Sequence, residues 1–366
     1  MFRNLSPKEQ ETFANKELFR YFRKLKKSTK QQNSFNEKDL NNLPTECNGR
    51  IDALWLWVNG TDPTWISKYK KVINFKYDPN KFRDYNTLFY SLRSVKMFAP
   101  YIKNYFLVTD NQIPNFLERP LNETAYILKD GEYTLEVVSH QEIIQKEVLP
   151  VFSSDNLELH LHNVKNLGEC FVYFNDDFIL NRPTPLNYFF EDKKAKLYIT
   201  GKTGSVKLAK TRMWDNSTFH TNTLINRKFM YKKEKEHYFQ SHVEYVMRKS
   251  ILKLIESEFN EEYRKQETKR VREFNSLNIP YLSMHYLQNL ELGKYEKQSD
   301  LNIYWPLTNQ HLNNFKYLMV IKHYEPYSLC LNDRLNWKNE TEASQEISFA
   351  LDWLGSFLTE KFPFEK

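Results

Sequence analysis

The sequence predicts an α/β fold built on a largely parallel sheet. Three observations carry this. Apolar runs at residues 51–58, 102–108, 135–138 and 171–180 have strand character, and each meets polar residues at or near its end. Segments at helical spacing lie between them, at about 87–97 and 153–167. The order strand, helix, strand, strand, helix, strand is that of a parallel sheet covered by helices. Beyond it the chain reads as largely helical, with segments at about 241–265 and 346–358.

Residues 1–48 form a polar, Lys-rich extension ahead of a main domain at 49–366. Within the extension, residues 17–27 read as a short basic helix with Leu18, Tyr21, Phe22 and Leu25 on one face. It suits either packing on the main domain or contact with an anionic membrane surface or partner. The first strand ends in Asn59-Gly60-Thr61-Asp62-Pro63, a turn signal at the strand end where open α/β sheets place ligands. Asp52, near that strand's start, reads as structural. N-x-Ser/Thr sequons at Asn59, Asn122, Asn216 and Asn339 carry little weight.

Arg83-Asp84 precedes the first helix, whose buried face is Leu88, Leu92 and Val95 and which Pro100 ends. The second strand delivers Thr109-Asp110-Asn111-Gln112, and the third delivers Ser139-His140. In the helix at 153–167, Glu158 and His162 stand four apart and share a neighbouring face. Such a pair ligates a metal, holds a base, or makes a surface hydrogen bond. The fourth run contains Asn175-Asp176-Asp177. Two adjacent carboxylates repel unless a cation sits between them, and oxygen ligands suit Mg²⁺ or Mn²⁺. A plain Asx turn is the competing reading. Residues 191–235 read as irregular and Lys-rich.

Hydrophobic residues make up 40%, with seven Trp, 23 Tyr and 27 Phe, which points to an aromatic-rich globule. The net charge of +7 suits an anionic ligand but is too small to support a nucleic-acid partner. Cys47, Cys170 and Cys330 form no CxxC pair. That argues against a structural zinc site and a dense disulfide framework, and the odd count leans to a reducing compartment. No run of eighteen apolar residues and no signal-peptide core is present, so a soluble or peripheral protein is expected. GxGxxG, P-loop and GxSxG motifs are absent, which removes the commonest nucleotide-fold and hydrolase readings.

Four stretches in order resemble the Stealth proteins. Ile51-Asp-Ala-Leu-Trp-Leu-Trp-Val-Asn-Gly-Thr-Asp-Pro63 resembles their first conserved region, which spans about 51–75 here. Arg83-Asp84, Ser91-Leu-Arg-Ser94, Tyr105 to Gln112, Leu149-Pro-Val-Phe-Ser153 and Phe171 to Leu180 resemble the second, about 82–186. His242 through Tyr286 resembles the third, about 237–290, and Cys330-Leu-Asn-Asp333 with the closing Phe-Glu-Lys the fourth, about 325–366. The family comprises sugar-1-phosphate transferases of capsular polysaccharide synthesis and the lysosomal-enzyme N-acetylglucosamine-1-phosphotransferase.

The resemblance implies a Rossmann-like catalytic core, a nucleotide-sugar donor such as UDP-GlcNAc, a glycan acceptor and a divalent cation, Mg²⁺ or Mn²⁺. It implies catalytic roles for His242, Glu158, Arg272 and Asp177, with His242 the first candidate base and Glu158 the second. Substrate contacts fall to Trp57, Asn59, Gly60, Arg83, Asp84, Arg93, Asn111 and His162. Arg93 and Arg272 would hold phosphate oxygens, and the metal falls to Asp176, Asp177 and Asp333. The chain departs from the family at Glu244, where Pro is usual, and after Arg272, where an acidic residue is missing and Asp333 is expected to substitute. A bacterial cytoplasmic enzyme at the inner membrane face is expected, with the Golgi lumen as the alternative. A peripheral contact through residues 17–27 and a homo-oligomer stay open. The competing functions are a glycosyltransferase that breaks the C1–O bond, a nucleotide-sugar hydrolase, and a non-catalytic sugar-binding protein.

Overall fold

A computed structural model describes residues 37–73, 82–118, 126–202, 210–231, 237–297 and 302–366. Its strands are β1 (Asp52–Leu56), β2 (Asn104–Thr109), β3 (Tyr126–Asp130), β4 (Tyr133–Ser139), β5 (Cys170–Asn175), β6 (Phe178–Leu180), β7 (Phe190–Glu191), β8 (Lys194–Lys202), β9 (Tyr238–Gln240), β10 (Tyr245–Arg248), β11 (Gly293–Lys297), β12 (Asn302–Leu307) and β13 (Ser328–Asp333). The longer helices are α1 (Pro63–Val72), α2 (Thr87–Phe98), α3 (Met213–Lys228), α4 (Lys249–Glu258), α5 (Asn260–Glu267), α6 (Ile279–Asn289), α7 (His311–Tyr324) and α8 (Glu340–Phe357).

The largest sheet has the order β10-β5-β1-β2-β4-β3. Its four inner strands are parallel, and β10 and β3 close its edges antiparallel. Strands β1, β2 and β5 are buried on both faces, which is why they read as unbroken apolar runs. The chain runs outward from β1 through β2 to β4, then returns to lay β5 on the other side of β1. That reversal is a topological switch point, where open α/β sheets bind ligands beyond the strands' C-terminal ends. In register, Leu56 lies beside Val108 and Asn175. The Asn59-Gly60 turn, Asn111 and Asn175-Asp176-Asp177 therefore follow on one edge of the sheet.

After Asn175 the chain leaves this sheet. Asp176 and Asp177 make the turn, and β6 joins a second sheet of order β12-β13-β6, with Phe178 opposite Cys330. Trp305, Leu318, Ile321 and Leu354 pack this sheet against α7 and α8 as a separate apolar cluster that includes Ile179. The acidic pair thus sits at the junction of two layers. A third sheet, β11-β8-β7 with β9 on β8, extends the molecule beside α6.

Helix α2 runs one residue past the expected end, with Leu88, Leu92 and Val95 fully buried. Four expectations need correction. The segment at 153–167 is one α-turn, Ser154–Leu157, followed by a 3₁₀ turn, Glu158–Asn163. At three residues per turn, positions four apart diverge by about 120°, so Glu158 and His162 do not share a face. Residues 241–248 are a bend and strand β10, and the helix starts only at Lys249. Tyr245, Val246 and Met247 pair with β5, and that pairing overrides the helical reading. Residues 191–235 hold β8 and α3. In β8, Lys194 and Lys196 alternate with buried Ala195 and Leu197, whereas α3 buries Thr218, Thr221, Asn222 and Asn226 alongside only two apolar residues, Leu224 and Ile225, too few to set a readable period. Helix α8 begins at Glu340, six residues before Glu346, capped by Asn339.

Cys47 and Cys170 are joined by a disulfide, with Cα atoms 5.2 Å apart. The odd cysteine count is one bonded pair plus the free thiol Cys330, so it gives no support to a reducing compartment. The bond fastens the short turn Thr45–Cys47 to the start of β5, with Leu43 and Cys47 buried in the main core. Residues 17–27 lie outside the described residues. Among the described residues no helix is long and apolar enough to cross a membrane.

Candidate active site

The site is built on the β5–β6 turn. The Asp177 carbonyl accepts from the Leu331 amide at 2.9 Å, which ties the turn to β13. Its Oδ2 accepts from the Cys330 thiol at 3.4 Å, while Oδ1 is buried with no hydrogen-bond partner. His242 arrives from the bend before β10. Its ring stands edge-on to Phe178 at 5.1 Å and to Tyr304 at 5.8 Å, and Nδ1 meets the Tyr245 hydroxyl at 3.2 Å. One ligand atom each from Asp177, His242 and Cys330 lies within 4.8 Å of the others. Sequence reasoning paired Asp177 with His242 but missed Cys330 and Tyr245. Cys330 could have been found from its place two residues before Asn332 and Asp333.

The electrostatics are those of a site short of positive charge. Burial, then the charges of Asp177 and Asp84, push Asp176 well above the usual carboxylate range. Burial also raises Asp177, opposed by His242 and the Cys330 hydrogen bond. Burial lowers His242, opposed by Asp177, so the imidazole is biased to its neutral form.

Arg83-Asp84-Tyr85 forms the adjoining wall. Asp84 accepts from the Asn86 amide at 2.8 Å and lies against the indole N–H of buried Trp57. The Arg83 guanidinium stacks 3.9 Å over Trp337, and Tyr85 stacks on the same indole at 5.5 Å. Asp333, expected as a third metal ligand, instead accepts from the Tyr85 hydroxyl, from Trp337 Nε1 at 3.1 Å and from the Leu335 amide at 2.8 Å. Both of its oxygens serve this wall, and it is not in the converging trio.

The Asn59-Gly60 turn is held from below. Asn59 Oδ1 accepts from the Thr61 amide and hydroxyl, and Gln112 binds the Asn59 backbone on both sides. A Cβ on Gly60 would come within 2.2 Å of the Phe82 carbonyl oxygen, so only glycine lets the turn reach the Phe82–Asp84 segment. Asn111, in the left-handed region, accepts from the Ser139 hydroxyl at 2.6 Å and links the ends of β2 and β4.

A second acidic group lies behind the site. Glu158 accepts from the Tyr173 hydroxyl at 3.1 Å, and Tyr173 packs 6.0 Å from Tyr245. Burial and the Asp155 charge push Glu158 up to about 8. It is mostly protonated at neutral pH, which suits an acid or a hydrogen-bond donor better than the base it was expected to supply. Arg272 reaches Asp155 at 2.6 Å and Ser154 at 3.0 Å. The carboxylate beside Arg272 is therefore Asp155, and Asp333 does not take that place.

Two expected substrate residues are committed elsewhere. Arg93 makes two 2.7 Å bonds to Glu365 and one to the Leu358 carbonyl, so it fastens the C-terminal segment to α2. Bidentate pairing of this kind uses the fork that was expected to hold phosphate. His162 is buried, bonded to Glu256 of α4 at 2.8 Å, and is not among the groups converging on Asp177.

Comparison with known proteins matches this architecture to one family. Descriptions of Stealth protein conserved regions 1, 2 and 3 match residues 49–74, 81–198 and 241–289. The capsular polysaccharide phosphotransferase fcs1 of Haemophilus influenzae is 31% identical over 315 residues, covering 83% of this chain and 82% of the relative. A capsular polysaccharide phosphotransferase of Actinobacillus suis is 30% identical over 306 residues, 77% of this chain and 76% of the relative. The exopolysaccharide phosphotransferase SCO6021 of Streptomyces coelicolor is 27% identical over 327 residues, 86% of this chain and 56% of that longer protein. The three matched stretches of this chain contain the β1 turn, the acidic junction and the His242 bend. The chain belongs to the Stealth family and is a phosphotransferase.

Proposed function

We propose that the protein transfers a sugar 1-phosphate from a nucleoside diphosphate sugar, UDP-GlcNAc foremost, to a hydroxyl of a glycan acceptor in capsular or exopolysaccharide synthesis. The observation that carries this is Asp177 beside a neutral-biased His242 at the switch-point edge, with Asp176 adjacent and no Lys or Arg among the described residues paired to either carboxylate. The acceptor oxygen attacks the phosphorus that bears the sugar, and the nucleoside monophosphate leaves. The C1–O bond stays intact, so the anomeric configuration is retained.

His242 would take the acceptor proton. With Nδ1 donating to the Tyr245 oxygen, Nε2 would carry the lone pair that does so. A divalent cation fits Asp176 and Asp177, because their mutual repulsion is not offset by a protein cation; bound there, Mg²⁺ or Mn²⁺ would neutralise phosphate charge. Arg272, with its side chain 40% exposed, would add a phosphate oxygen to its Asp155 and Ser154 bonds. The Asn59-Gly60 turn and the Arg83–Trp337 stack would shape the donor pocket, since catalysis of this type rests on positioning and charge. The Cys47–Cys170 bond favours the lumenal alternative or another oxidising compartment over the cytoplasm. Membrane contact through residues 17–27 and homo-oligomerisation remain proposals that the site does not require.

Incubation with UDP-GlcNAc and oligosaccharide acceptors, read by ³¹P NMR and mass spectrometry, tests the reading. UMP release with a new phosphodiester is the expected result. UDP release would replace phosphotransfer with glycosyl transfer, UMP release without an acceptor would indicate hydrolysis, and donor binding without turnover would indicate a binding protein.

A further inference from the structure

We propose that Asp177, His242 and Cys330 form a mixed carboxylate–imidazole–thiolate site that takes a thiophilic divalent cation, zinc foremost. The three side chains come from three separate stretches: the β5–β6 turn, the bend before β10, and β13. Their ligand atoms already lie within 4.8 Å of one another. Ligand atoms around one zinc ion stand ~3.5 Å apart, given bonds of about 2.0–2.3 Å in a tetrahedral arrangement, so small side-chain rotations complete the site. The thiol is in contact with Asp177 Oδ2 at 3.4 Å, and Asp177 Oδ1 is buried without a hydrogen-bond partner.

The supporting contacts are those of a metal site. Cys330 is fully buried and held in register opposite Phe178, so its sulfur has little freedom. The Tyr245 hydroxyl on Nδ1 holds the His242 ring, as outer partners of ligating histidines do. Ligand softness decides the metal. A thiolate with an imidazole selects zinc, whereas Mg²⁺ and Mn²⁺ favour all-oxygen sets such as the Asp176–Asp177 pair. On binding, the thiol proton leaves to solvent, and one carboxylate plus one thiolate balance the two positive charges. Three protein ligands leave a fourth position for water or a substrate oxygen. If His242 is the base, as proposed above, zinc in this site occupies the base and competes for Asp177, so the site is inhibitory.

Cobalt(II) reads the site without activity. Cys330 is the sole free thiol, because the other two of the three cysteines are bonded to each other. Chelator-treated full-length protein titrated with Co²⁺ is expected to develop a sulfur-to-cobalt charge-transfer band and strong visible bands of four-coordinate cobalt. The charge-transfer band is expected to vanish in Cys330→Ser and in Cys330→Ala, with circular dichroism establishing that each variant is folded. Zinc displacing cobalt from the wild type would support the assignment further. Absence of the band in the wild type, or its persistence in a folded Cys330 variant, would overturn the proposal. Phosphotransfer without the band leaves the proposed function standing and removes this site; the band without phosphotransfer does the reverse.

Discussion

Two carboxylates, the buried Asp155 and the half-buried Asp177, show how one residue type is used in two ways. Each keeps one oxygen buried without a hydrogen-bond partner, Oδ2 of Asp155 and Oδ1 of Asp177. They differ in what balances their charge. Asp155 has the Arg272 guanidinium at 2.6 Å. Asp177 has a thiol, an imidazole biased to neutrality, and a second carboxylate next door. The first corner carries its own counter-charge and can be structural. The second lacks one from the described residues, and a half-buried carboxylate pair in that condition either binds protons or binds a cation. That contrast, more than burial, makes the β5–β6 junction the stronger candidate site.

The comparison can be broken in order of expected size. Asp177→Asn and His242→Ala are expected to lower kcat by about 10³-fold or more, on the order of 4 kcal/mol, with little change in unfolding midpoint. Steady-state kinetics and thermal unfolding on the same preparations check this; large destabilisation with modest rate loss would make the corner structural. Arg93→Ala is expected to do the opposite. Its pair with Glu365 is largely buried, so breaking it costs about 3–5 kcal/mol of stability, and the KM for donor is expected to stay unchanged where the variant is folded. Urea unfolding measures the first and substrate titration the second.

Replacing Cys47 and Cys170 together with Ala is expected to cost about 2–4 kcal/mol, because the bond closes a loop of 123 residues. Non-reducing peptide mapping of protein taken directly from cells reports whether the bond forms there. A pH-dependent effect concerns Glu158. Its folded value is raised to about 8, against an ordinary value of 4.5, so the folded state holds a proton that the unfolded state releases between those limits. Its contribution to stability is fully present below about pH 4.5 and is lost as pH rises through 8. Glu158→Gln is expected to flatten the stability–pH curve between these limits. An unchanged slope would mean Glu158 is ionised in the folded protein.

How much of this was legible in the sequence follows from burial. Strands β1, β2 and β5 announced themselves because both of their faces are apolar, and α2 because Leu88, Leu92 and Val95 keep one phase. The edge strand β10 was hidden, since Tyr245-Val246-Met247 takes its conformation from pairing with β5. Helix α3 was hidden because it buries hydroxyls and amides. The site was legible where chemistry is local, as at Asn175-Asp176-Asp177 and the Gly60 turn. It was illegible where chemistry is made by long-range contact. Nothing near Arg272 in the chain names Asp155 as its partner, and nothing near Arg93 names Glu365. Cys330 carried no site role in the sequence until β13 placed it against Asp177. Residue type nominated Arg and His as candidates, and only the fold shows which partners they keep.

Manganese binding measures the contrast between the two corners directly. Electron paramagnetic resonance of Mn²⁺ titrated into the full-length protein counts bound ions without any substrate. The account predicts a Mn²⁺ site that is lost in Asp177→Asn and kept in Asp155→Asn. No Mn²⁺ bound by the wild type, or equal binding by wild type and folded Asp177→Asn, would contradict it.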